Sequence, residues 1–163
     1  MRRMLLFLIA TCATAALAVP AALADNAHFV RASASLDSSG NLVCTFKEVG
    51  LGKTTATENV TCSAQATAVY GGLNNGQQCP NAANKVSVIA NVSASGQFPV
   101  RNGSVTGTIT VDPPPPPTTF TVPNGQTLVL ISVSYTDIVL QGTAGDTATV
   151  PPSLAANFFP QCP

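Results

Sequence analysis

An all-β, two-sheet antiparallel β-sandwich of about seven strands, immunoglobulin-like in architecture and stapled by disulfides, is the fold this sequence predicts. Three observations predict it. Apolar and polar residues alternate with period two along most of the chain, turn residues punctuate those runs, and four cysteines follow an export signal.

The signal occupies residues 1–24. Arg2 and Arg3 form a basic start, Met4 to Ala18 is apolar without a charge, and Ala22-Leu23-Ala24 offers the small residues a signal peptidase requires. Pro20 interrupts the apolar run and no stop-transfer follows, so the segment reads as cleaved before Asp25, with no membrane insertion afterwards. The Arg pair reads as an ordinary basic region in preference to a twin-arginine signal. Acylation at Cys12 would leave too short an apolar core before it. Residues 25–163 then form a single domain.

The strands follow in order. Val30, Ala32, Ala34 and Leu36 alternate with Arg31, Ser33 and Ser35. The clearest run is Val60, Cys62, Ala64, Ala66 and Ala68 opposite Thr61, Ser63, Gln65 and Thr67, a half-buried strand. Val86, Val88, Ala90 and Val92 give another, and Val105, Ile109 and Val111 a further one against Ser104, Thr106, Thr108 and Thr110. Leu128 to Leu140 begins apolar on both faces, as a central strand covered on each side does. Turns are expected at Ser38-Ser39-Gly40, Gly50 to Lys53, Ser95-Gly96, Asn102-Gly103 and Asn124-Gly125. Pro113 to Pro117 cannot donate to a ladder. As polyproline II the run spans roughly 15 Å, enough to cross between sheets about 10 Å apart, so 113–117 is a crossover loop. The core is rich in Ala, and Phe29, Phe46, Phe98, Phe120 and Tyr135 are expected to fill its wider ends.

Cys44, Cys62, Cys79 and Cys162 imply two disulfides in one of three connectivities. A hairpin centred on Lys53 would set Cys44 opposite Cys62, Phe46 opposite Val60, Leu42 opposite Ala64, and Glu48 against Glu58, an unfavourable pair. Elimination leaves Cys79 with Cys162, tethering the tail 151–163 to a long loop.

Composition excludes several functions. Charged residues are 9% of the chain, and after loss of Arg2 and Arg3 five Lys and Arg face seven acids. Phosphate binding needs clustered cations, so no nucleic acid is expected. The absence of Trp leaves little for sugar stacking. His28 is the single histidine and reads as a surface residue without a nucleophile to serve. No Cys-x-x-Cys, second His or calcium-loop spacing is present, so neither metal nor cofactor is expected. Asp137 alone among the acids lies in a strongly apolar run, and reads as the point where a strand leaves the core in preference to a buried catalytic carboxylate. Three N-glycosylation sequons, at Asn59, Asn91 and Asn102, read as chance in a surface rich in Asn and Thr. The loop from Gly71 to Asn81, with Asn74, Asn75, Gln77 and Gln78, is the candidate recognition surface.

Phe46-Lys47-Glu48-Val49-Gly50-Leu51-Gly52, Ala82-Ala83-Asn84-Lys85 and Asn124 to Leu130 through Ser134-Tyr135-Thr136 resemble segments of small secreted β-proteins of actinomycete-type bacteria. The resemblance implies export and a β fold and carries no activity. The expectation is therefore a secreted, extracellular, monomeric, non-enzymatic module contacting a protein or the cell envelope through loops. The alternatives are a protease inhibitor using the clamped loop at 74–80 and, third, a hydrolase using Asp137.

Overall fold

The computed structural model describes residues 26–74, 84–150 and 153–160. Among these residues eight strands alternate with turns: β1 (His28–Leu36), β2 (Leu42–Val49), β3 (Thr57–Leu73), β4 (Lys85–Pro99), β5 (Ser104–Val111), β6 (Thr127–Gly142), β7 (Thr147–Thr149) and β8 (Ser153–Asn157). One antiparallel sheet runs β1-β2-β5 and the other β4-β3-β6, with β7 and β8 both on the far side of β6. β7 pairs with Val139 to Gln141 and β8 with Ser132 to Thr136, so the two share one lane and the sandwich has seven. The neighbours β1-β2-β5 and β3-β6-β7 match the A-B-E and C-F-G order of an immunoglobulin sandwich. Here β4 joins β3, where a constant-type domain puts its fourth strand beside the fifth.

The expected hairpin between β2 and β3 does not form. β2 pairs with β1 and β5, while β3 pairs with β4 and β6, so the two cysteine-bearing strands lie in different sheets. The Cys44–Cys62 disulfide is present nonetheless, joining the inner strand of one sheet to an inner strand of the other. Period-two patterning identifies which face each strand buries. It does not say whether the face meets its partner beside it or across the core, and Gly50 to Lys53 turns the chain between sheets.

Two further expectations shift. Ser95-Gly96 is not a turn but lies inside β4, where Gly96 stands opposite Val60 and leaves room for the Phe98 ring. Asp137 does not mark the end of a strand. It is exposed, with φ 51°, at a bulge where Ser63 pairs with Val139 and Gln65 with Thr136, and β6 continues to Gly142. A second register shift lies between Val69 and Tyr70 on β3, opposite Ile131. Across it the inward row of β6 passes from Leu130 to Val133 and Tyr135, while Val129 and Ile131 join Val69, Leu73 and Phe159 in a separate cluster. The two-sided apolar start of β6 is thus used on both faces.

The main core draws Leu42, Cys44, Phe46, Val105 and Ile109 from one sheet and Val60, Cys62, Ala64, Ala66, Ala68, Val133, Tyr135 and Leu140 from the other. Residues 113–117 lie on the connection from β5 in one sheet to β6 in the other. Pro114 is buried and its carbonyl accepts from the Tyr70 hydroxyl at 2.8 Å. Tyr135 donates its hydroxyl to the Gly40 carbonyl at 2.9 Å, and burial pushes its phenol up to about 12. Phe46 makes edge-to-face contacts with Phe29 and Phe98, centroids 5.9 and 5.1 Å apart.

That aromatic row depends on Gly107. A Cβ there would fall 2.5 Å from the Phe98 ring and 2.8 Å from that of Phe46. Gly107→Ala is expected to destabilise by about 1–3 kcal/mol through overpacking. An unchanged urea midpoint would mean that the three rings repack freely.

Candidate functional site

The buried ionisable groups gather at one end of the sandwich. Glu48 ends the inward row of β2 and is 0% exposed, and Glu58 begins that of β3 and is 4% exposed. Asp146 lies in the turn from β6 to β7. That turn closes through Gly142 N–H to the Asp146 carbonyl and Gly145 N–H to the Gly142 carbonyl. Thr143 binds it to β3. Its backbone N–H donates to Glu58 Oε1 at 2.5 Å and its hydroxyl donates to the Asn59 carbonyl at 3.0 Å.

Gly142 lets the carboxylates approach. A Cβ there would lie 2.5 Å from Asp146 Oδ1 and 3.0 Å from Glu48 Oε1, so both oxygens converge over its Cα. All four oxygens of Glu48 and Asp146 are buried without a hydrogen-bond partner when both groups are ionised. One proton on Glu48, donated to Asp146, gives a partner to one oxygen of each carboxyl. Desolvation first, then the charges of Asp146 and Glu58, push the Glu48 carboxyl up to about 8, so it carries that proton at neutral pH. Among the described residues no group of three or more His, Cys, Asp or Glu side chains is arranged to hold a metal ion. The carboxylate oxygens of Glu48 and Asp146 are buried, although Asp146 as a residue is only partly so.

Sequence reasoning missed this cluster as a site, although it noted the Glu48–Glu58 opposition. The same strand offset that sets Cys44 against Cys62 sets Glu48 near Glu58, across the core instead of across a ladder. Asp146 gave no such signal, because its approach depends on how the β6–β7 turn folds back.

The other predicted residues are scattered. His28 is exposed and its Nδ1 bonds the Asn26 carbonyl at 2.8 Å. Asn74 is exposed just beyond β3, while Asn75, Gln77, Gln78, Cys79 and Cys162 lie outside the described residues, as do the signal segment and the Cys79–Cys162 bond. Asp37 is structural. Its carboxylate accepts from the backbone N–H of Ser39 and Asn41, and these bonds hold its pKa below the ordinary value.

Two open depressions mark the outer face of the larger sheet. One, about 330 Å³, is lined by Ser63, Ala64, Gln65, Asn91 and Asp137. The other, about 310 Å³, includes Thr67, Val69, Ser132, Ser134, Ala155 and Asn157. Their walls are mainly hydroxyl, amide and methyl groups, with Asp137 the single charge. Among the described residues no helix is long and apolar enough to cross a membrane. Compared with known proteins, the chain matches no family model, no curated protein and no solved structure.

Proposed function

We propose that this chain is an exported β-sandwich module that binds a protein or cell-envelope partner without catalysing a reaction. The observation that carries the reading is the division of its polar groups. The ionisable cluster with a perturbed proton is enclosed by β2, β3 and the β6–β7 turn, where no substrate reaches it. The accessible depressions present hydroxyl, amide and methyl groups and the one carboxylate of Asp137 on a sheet scaffold, suited to mixed polar and apolar contact at little ordering cost. The buried Cys44–Cys62 bond and the signal-like residues 1–24 support export.

The test uses the protein recovered from culture medium, titrated onto purified cell walls and onto the secreted proteins of its host. Saturable binding weakened by Gln65→Ala and Asn91→Ala is the expected result. Turnover of an ester, peptide or glycoside substrate that disappears in Asp137→Asn would overturn the reading. Stoichiometric inhibition of a protease panel would replace it with the inhibitor alternative.

A further inference from the structure

Among the described residues the four lanes that end the two sheets are not equally protected against pairing with another chain. β1 carries Arg31 in mid-strand and a register shift between Phe29 and Arg31. β5 is eight residues long, contains Gly107 and runs directly into Asp112 and the proline series. β7 and β8 have three and five residues. Short edges, charges, bulges and neighbouring prolines are the devices that keep sheet edges from association. β4 carries such devices only at its ends, Lys85 and Pro99, with Gly96 near the second. It is 15 residues long, about 50 Å of strand, and pairs with β3 without a register shift from Lys85 to Pro99. Between its two ends, Val86 to Phe98, it contains neither a charge nor a proline.

We propose that β4 is a homotypic docking edge, pairing antiparallel with β4 of a second copy about a two-fold axis near Val92. A second copy is the occupant because this uncharged edge, with its one cation at the end, meets itself without opposing like charges. An axis at Val92 sets Asn91 opposite Ser93, Ile89 opposite Ser95 and Ala90 opposite Ala94 of the second copy. Each residue then meets one of the same face, so the two outer faces and the two inner faces both continue across the junction. The two Lys85 side chains are carried to opposite ends, each facing Pro99, so no like charges meet.

The inner row supplies the apolar component. Val86, Val88, Ala90, Val92 and Ala94 are only partly buried, and Ile89 on the outer face is 67% exposed. A second β4 alongside shields the flanks of both rows. The two larger sheets would become one continuous sheet, and the association departs from the monomer expected of the sequence. An interface built on one strand from each copy falls at the small end of the specific range, so the dimer is reversible.

Sedimentation velocity of the disulfide-intact protein from micromolar to several hundred micromolar tests this directly. The expected result is a concentration-dependent dimer whose dissociation constant rises at least tenfold in Ser93→Lys. Ser93 is exposed, so the variant keeps the wild-type circular dichroism, and Thr110→Lys on the β5 edge leaves the dimer unchanged. Hydrogen exchange supplies a readout without mutation, with the amides of Val86 to Phe98 gaining protection as concentration rises. A protein that stays monomeric throughout, or a dimer that Thr110→Lys weakens as much as Ser93→Lys, overturns the proposal.

Discussion

Glu48→Gln makes the protein more stable above neutral pH and leaves it nearly unchanged near pH 4. In the unfolded chain Glu48 titrates near 4.5, whereas in the folded protein its carboxyl is pushed up to about 8. Below pH 4.5 both states hold the proton and the stabilisation from the neutral form is complete. As pH rises towards 8 the unfolded chain releases the proton while the folded one retains it, so stability declines by about 1.4 kcal/mol per pH unit. The ceiling is about 5 kcal/mol across this window, and water entering the β6–β7 turn reduces it. Gln has the shape of the protonated acid, donates to Asp146 as that acid does, and does not titrate. Urea unfolding of both proteins from pH 4 to 9 should give curves that start together and diverge upward from pH 5. Parallel curves would mean that Glu48 is ionised in the folded state and that the shared proton does not exist. At the acid end Asp37 acts in the opposite sense, because its lowered pKa favours the folded state above its ordinary value and that favour is lost on acidification.

The same cluster shows which features of this molecule are legible in its residues. Alternation assigns the buried face of nearly every strand, because a half-buried sheet permits only a two-residue period. Cys44, Phe46, Val60, Cys62 and Ala64 were all expected inside, and all are buried. Asn102-Gly103 and Asn124-Gly125 mark turns because their backbone enters the left-handed region at Asn102, Gly103 and Gly125. Pairing is a different matter. A strand's pattern is the same whether its apolar row meets a neighbour in the ladder or a strand in the facing sheet. The opposition of residues 42–48 with 58–64 therefore lies across the core and not within a ladder. Gly96 misled for a related reason. A glycine inside β4 serves the close approach of Phe98, which depends on the facing sheet and has no local signature. β7 and β8 are too short to show a period and owe their place to the exposed flank of β6.

Removing the Cys44–Cys62 bond is expected to cost about 3–5 kcal/mol, a large part of the 5–15 kcal/mol that holds a domain of this size together. The cysteines are 18 residues apart, and constraining so short a loop in the unfolded chain contributes about 3 kcal/mol. The remainder comes from burial, because both side chains are fully enclosed and their replacement by Ala leaves space between Phe46, Val60 and Leu140. Position makes this bond more consequential than a hairpin cross-link. Two paired strands are held by a ladder of hydrogen bonds whether or not a disulfide joins them. β2 and β3 share no ladder, and side-chain packing alone, apart from this bond, holds the facing sheets in register at that point. Without it the sheets can slide, and sliding separates Glu48 from Asp146 and Phe46 from Phe98. The double variant Cys44→Ala/Cys62→Ala, with Cys79 and Cys162 kept, should therefore lower the urea midpoint and also weaken the pH dependence between 4.5 and 8. A loss below about 1 kcal/mol with the pH profile intact would place the inter-sheet register in the Ala-rich core alone.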